Sequence, residues 1–289
     1  MYFEKLKSEE LYPRYIAEIA NQSLILELLT EPKPGLVTRS SNGSHKDMNY
    51  KVFIDSIKLL EKYWYAITIL PYNNNNTALI FQKASELGKE YELKMLEATG
   101  NVNTHKGLIF SMGVLTLSVS YLAFRKRIFF LNDISRTIRF FLNRFYKEKM
   151  EKKTAGDKFR KVHYRGGVIS EAFAGFPTVF NNSLPFFMRM NNNLSFNEAS
   201  SRTLVYLISI TKDTNLWNRG KEEGLRFARR VSSRLGHSVN GNRNPGKTAL
   251  TRMCKSFIDK NLSPGGSADL LALTIFLYLL IKKDLKNYS

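Results

Sequence analysis

A chain of 289 residues with 43% hydrophobic and 24% charged residues is long enough to bury a substantial core and too apolar to be disordered. Its formal charge of +19 attracts nucleic acid, anionic lipid or a substrate carrying several phosphates, or serves solubility, and composition does not choose among these. The single cysteine, Cys254, excludes an internal disulfide and any cysteine-based zinc cluster, and points to a reducing, cytoplasmic compartment.

The opening stretch MYFEKLKSEELYPRY mixes charges of both signs and lacks the apolar core of a secretory signal, so Met1 onward reads as mature protein. From there apolar residues recur at helical spacing. Val52, Phe53, Ile57, Leu60, Trp64 and Ile67 form one stripe, and Ile134, Ile138, Phe141, Leu142 and Phe145 form another. The spacing predicts helices over roughly 14–29, 47–70, 77–98, 105–124, 132–150, 154–161, 196–211, 216–235, 246–259 and 265–282. The asparagine run at 73–76 and the stretch PFFMRMNNNLSF at 185–196 read as connections. No period-two alternation between hairpin turns and no repeat of 20 to 50 residues is present, which argues against strands and against a solenoid. The expectation is an all-α protein, one domain over residues 1–289. Its segment GLIFSMGVLTLSVSYLAF, 107–124, carries no charge and predicts a buried central helix around 105–124 rather than a membrane span.

Four polar loops open onto helices. They are PKPGLVTRSSNGSHKDM (32–48), NVNTHKG (101–107), KDTNLWNRG (212–220) and NLSPGGSADL (261–270). In the last, Ser263 is an N-cap candidate, Pro264 suits the first helical position, and Gly265 and Gly266 let a ligand approach the backbone. Free amides at a helix start together with nearby cations make a phosphate site. Lys46 and Lys106 can supply charge, while His45 and His105 donate hydrogen bonds or handle protons. Against them stand the carboxylates Asp47, Glu171, Asp213 and Asp269, which would repel phosphate unless magnesium stood between; helix capping is the ordinary alternative for each. His163 and His237 read as ordinary histidines.

Taken together, PKPGLV (32–37), NGSHKDM (42–48), NTHKG (103–107), EAFAGFP (171–177), DTN with the following RG (213–220) and LSPGGSADLLA (262–272) resemble, in order, the triphosphoribosyl-dephospho-CoA synthase family. The resemblance implies an all-helical enzyme that moves the triphosphate-bearing ribose of ATP from adenine to a ribose hydroxyl of dephospho-CoA. The product would be the prosthetic-group precursor of an acyl carrier protein, with a transferase acting on that carrier downstream, and with neither membrane nor nucleic acid as partner. Glycosyl transfer of this kind passes through a cation-like sugar and calls for an acid, a base and a stabilising carboxylate. On the resemblance, Lys33, Arg39, Lys46, Lys106 and Arg219 contact phosphates with Ser263, Gly265 and Gly266, Asp47 and Asp213 hold magnesium, and Glu171 or Asp269 is the base. The chain departs from the family pattern at Thr38, Asn49, Ile169 and Ser170, with Arg165 as a substitute for an arginine missing at 169.

Two other patterns compete. GNRNPGKT, from Gly241 to Thr248, satisfies the phosphate-loop motif of P-loop ATPases, which works only between a buried strand and a helix. The basic stretch RFARRVSSR at 226–234 suits a nucleic-acid contact helix, without any recognised nucleic-acid motif beside it.

Overall fold

A computed structural model describes residues 2–4, 11–126, 128–146, 167–240 and 247–286. The described chain is helical almost throughout. In order come α1 (Leu11–Leu29), α2 (Tyr50–Thr68), α3 (Leu70–Asn73), α4 (Thr77–Ala98), α5 (Lys106–Arg125) and α6 (Leu131–Phe141). After them run α7 (Gly167–Phe173), α8 (Leu184–Asn191), α9 (Phe196–Ile210), α10 (Thr214–Asn240), α11 (Lys247–Asp259) and α12 (Gly265–Lys286). Two π-helical turns, Leu142–Tyr146 and Thr178–Ser183, extend α6 and precede α8. One short antiparallel pair, β1 (Tyr2–Glu4) with β2 (Ile128–Phe130), puts Phe3 opposite Phe129. The all-α expectation holds.

Helix ends follow local chemistry. The Asn76 side chain accepts from the Ala78 and Leu79 amides at 2.9 and 3.2 Å, so the asparagine run ends as the N-cap of α4. Ser195 accepts from the Glu198 amide and its hydroxyl donates back to the Glu198 carboxylate, which starts α9. The stretch expected to be a connection at 185–196 instead contains α8, because Pro185 sits in its first turn, where no amide is needed. The helix expected over 154–161 lies outside the described residues, as do Arg165 and His163.

The chain divides into two units. The first comprises Met1–Gln22, Lys58–Pro177 and Leu279–Ser289; the second comprises Ser23–Ile57 and Thr178–Tyr278. In the first unit α5 runs buried through the core, with 78% of its most apolar 18-residue stretch inside. Rings fill the space beside it: Phe81 stacks on Phe141 at 5.7 Å, and Tyr63 meets Trp64 and Tyr91 at 4.8 and 5.1 Å. Its small hydroxyls also bind the neighbours, with Ser120 donating to the Thr68 carbonyl and Thr68 to that of Pro13. In the second unit the Ser183 and Thr274 hydroxyls share a hydrogen bond of 2.6 Å, and Phe187 packs edge-on to Phe196 and Tyr278. A second long apolar helix, α12, is 72% buried over Gly265–Lys282, so α5 is not alone in that character.

Candidate functional site

Most of the expected site residues lie in the second unit, on three segments tied to one another. Gly35 begins the first tie. Its φ of +69° belongs to the left-handed region, and a Cβ there would run into the Leu262 carbonyl oxygen. That close approach lets Ser44 donate to the carbonyls of Leu262 (2.7 Å) and Phe257 (3.2 Å), which fastens the 35–45 loop to the end of α11. Arg219 on α10 completes the tie, donating to the Ser44 carbonyl at 2.8 Å, to the Asn261 side chain at 2.9 Å and to His45 Nδ1 at 3.0 Å.

This arrangement determines the state of His45. A guanidinium can only donate, so Nδ1 is the acceptor and Nε2 carries the hydrogen, which it donates to Ser263 Oγ at 2.9 Å. Burial, helped by the Arg219 charge, pushes the imidazole down to about 4, so it is neutral at physiological pH. Its tautomer leaves no nitrogen free to take a proton. His45 is therefore a hydrogen-bond post that orders the loop rather than a proton carrier, and Ser263 is not activated by it.

Asp213 has the most demanding position. It is 1% exposed and accepts four hydrogen bonds. Oδ1 takes the Asn215 and Leu216 amides at 2.9 and 3.2 Å, which caps α10, and Oδ2 takes the Ser267 amide and hydroxyl at 2.7 and 2.9 Å, which caps α12. One carboxylate serves two helix starts. Burial pushes its pKa up while these four donors pull the other way, and two helix N-termini favour the anion. Ser263 therefore does not cap α12, and Pro264 stands just before its first residue, Gly265, with its carbonyl accepting from the Ala268 amide at 3.0 Å. The space at Gly265 and Gly266 is taken as well, since a Cβ at either would fall on the Asn215 side chain or the Asp213 carboxylate.

Asp269, one turn into α12, is half-buried and has no hydrogen-bond partner among the described residues. Burial, then the charges of Asp213 and Glu27, raise its carboxyl well above the usual carboxylate range. Sequence reasoning missed Glu27, although a lone carboxylate inside LILELL is itself a signal. Glu27 receives the buried Lys33 ammonium, at 2.8 Å to its carboxylate and 2.9 Å to its own carbonyl. Lys33 is thus committed to the fold, not free for phosphate. Arg39 and Lys46 remain exposed, with no carboxylate within ion-pair distance among the described residues. Asp47, 62% exposed, stands 3.9 Å from His45 Nδ1.

Magnesium does not fit at Asp213. Two donors on each oxygen already occupy its four lone-pair positions. Among the described residues no three His, Cys, Asp or Glu side chains gather as a ligand set.

The first unit holds the remaining candidates. His105 is buried where α5 begins, and the Lys106 amide is capped by Asn103 at 3.1 Å. The Lys106 ammonium pairs with the Glu92 carboxylate. Glu171 is half-buried on α7, and the loop after it is held by Ser135, which donates to the Gly175 carbonyl at 2.8 Å.

Neither competing pattern gains support. Residues 241–246 of the phosphate-loop motif lie outside the described residues, but Thr214–Asn240 before them is helix, where the motif needs a buried strand. Within RFARRVSSR, Arg226 pairs with Glu222 and Arg229 donates to the Ser209 carbonyl. Burial raises the Cys254 thiol to about 11, which makes it a poor nucleophile.

The family model described as ATP:dephospho-CoA triphosphoribosyl transferase matches residues 13–288. A probable 2-(5''-triphosphoribosyl)-3'-dephosphocoenzyme-A synthase of Vibrio cholerae is 33% identical over 279 residues, 93% of this chain and 89% of that protein. The synthase of Pectobacterium atrosepticum is 34% identical over 263 residues, 89% of this chain and 86% of its own. A probable synthase of Streptococcus pyogenes is 33% identical over 285 residues, 92% and 97% of the two chains. No solved structure matches the chain.

Proposed function

From membership of the ATP:dephospho-CoA triphosphoribosyl transferase family, to which this chain belongs, we infer that it transfers the triphosphoribosyl group of ATP to dephospho-CoA and releases adenine. The bond from the anomeric carbon to adenine breaks, and a bond from that carbon to an acceptor hydroxyl forms. Adenine leaves with a proton, and the acceptor gives one up.

The single observation that carries the mechanism is Asp269. A half-buried carboxyl without a hydrogen-bond partner among the described residues, raised by burial and by the charges of two further carboxylates, keeps its proton to higher pH than an ordinary carboxylate. We assign it to protonate departing adenine, as the general acid. The exposed cations Arg39 and Lys46 draw in the triphosphate, with Arg219 fixing the loop they stand on. Magnesium enters bound to the triphosphate, with Asp47 as the exposed carboxylate able to meet it. The product is handed to a transferase that loads an acyl carrier protein, in the cytoplasm.

The test is the pH profile of adenine release in wild type and Asp269→Asn. The assignment requires the wild-type rate to fall as pH rises through the elevated pKa, and requires the variant to lose about 100-fold and with it that alkaline limb. A variant that is slow but keeps the limb would move the acid elsewhere.

A further inference from the structure

The first unit contains a cavity of about 340 Å³ lined by α2, α4, α5 and Leu142, within the range of ligand sites and sharing only Lys106 with the candidate site residues. Its walls are apolar, built by Tyr63, Phe81, Phe110, Val114 and Leu117. Its rim is charged, with Lys89, Glu92 and Lys106. Lys106 is paired with Glu92, whereas Lys89 is exposed and has no carboxylate within ion-pair distance among the described residues.

The polar atoms inside are of one kind. The Tyr63 hydroxyl donates to the Ile109 carbonyl at 3.0 Å, and the Ser85 hydroxyl donates to the Phe81 carbonyl at 2.9 Å. Each has spent its only hydrogen and can now only accept. A slender, flexible chain with aliphatic stretches, its own N–H, O–H and S–H donors and a phosphate end matches the apolar wall, the accepting oxygens within it and the cationic rim.

We propose that this cavity of the first unit receives the pantetheine arm of dephospho-CoA, thiol end innermost, with the adjoining phosphate at Lys89 and Lys106. The proposal rests on the acceptor named under the proposed function and adds the site that recognises it. It follows that the arm, and not the adenosine end, supplies most of the affinity that distinguishes dephospho-CoA from ADP.

Calorimetric titration tests this with 4'-phosphopantetheine, dephospho-CoA and ADP, on wild type, Ser85→Trp, which fills the mouth, and Lys89→Glu, an exposed change that leaves the core intact. Wild type should bind 4'-phosphopantetheine without ATP. Ser85→Trp should weaken that compound and dephospho-CoA by about tenfold or more, with ADP changed by less than about twofold. Lys89→Glu should weaken the same two ligands and reduce the salt dependence of their binding. No binding of 4'-phosphopantetheine to wild type, or undiminished binding of dephospho-CoA to Ser85→Trp, overturns the cavity assignment, and it does so even if adenine release proceeds. Binding with these variant effects in a protein that never releases adenine upholds the cavity and removes the transfer reaction instead.

Discussion

Replacing Asp213 by Asn separates a structural role from a metal-binding one, because the two predict opposite stability. Asn keeps one oxygen, which can still accept from the Asn215 and Leu216 amides and cap α10. The NH2 group that replaces Oδ2 then faces the Ser267 amide, a donor it cannot accept, and the Ser267 hydroxyl, which loses its bond to charge and can only turn round to accept. Each hydrogen bond to a charged group contributes about 1.5–3 kcal/mol, so two losses come to roughly 3–6 kcal/mol before any offset. Removing a buried charge from beside Asp269 returns part of this, which leaves a net destabilisation of about 3 kcal/mol. At roughly 2–4 °C per kcal/mol the variant should melt about 6–12 °C below wild type, read by calorimetry. Ser267→Ala removes only the hydroxyl donor and should lose less. A residue kept for a metal would behave in the opposite way. The variant would hold or gain stability as repulsion among Asp213, Asp269 and Glu27 eased, and only activity would suffer. An unchanged melting temperature with adenine release abolished would refute the capping account.

Other outcomes follow from the same contacts. His45, held near 4 in the folded chain against about 6.5 unfolded, leaves the unfolded state binding more protons between those values, so stability falls as pH drops through that window. The loss should reach about 2 kcal/mol after discounting for solvent, and His45→Asn should remove it from acid-unfolding midpoints. Arg219→Ala should raise KM for ATP more than it lowers kcat, since it frees the loop that carries Arg39 and Lys46; Arg219→Lys should rescue it poorly, because one ammonium cannot reach Ser44, Asn261 and His45 together. Gly35→Ala should unfasten the same loop, with a comparable rise in KM and a lower melting temperature.

The helices were legible because their apolar spacing is regular: α4 was expected over 77–98 and spans Thr77–Ala98. α8 was not, since Pro185 and the asparagines after it look like linker chemistry until the proline is seen to occupy a first turn. α10 was drawn as starting at 216, while Asp213 caps it at Thr214, and it kinks at Lys221, where φ is +49°. Within the site, residue types were legible and their commitments were not. Lys33, Asp213 and Arg219 all read as ligand-facing, yet each spends its charge on the fold: Lys33 on Glu27, Asp213 on two helix starts, Arg219 on two loops. Spacing along a chain cannot tell a free cation from one with a partner distant in sequence. Glu27 and Ser267 went unnoticed for the same reason, because their importance comes from neighbours that only folding supplies.

Mass balance with the purified protein tests the central claim most directly. With ATP, magnesium and dephospho-CoA, adenine and a triphosphoribosyl adduct of dephospho-CoA should appear together in a ratio of about one, and neither should appear without the acceptor. Adenine formed equally well in the absence of dephospho-CoA, or ADP and phosphate in place of adenine, would contradict the transfer.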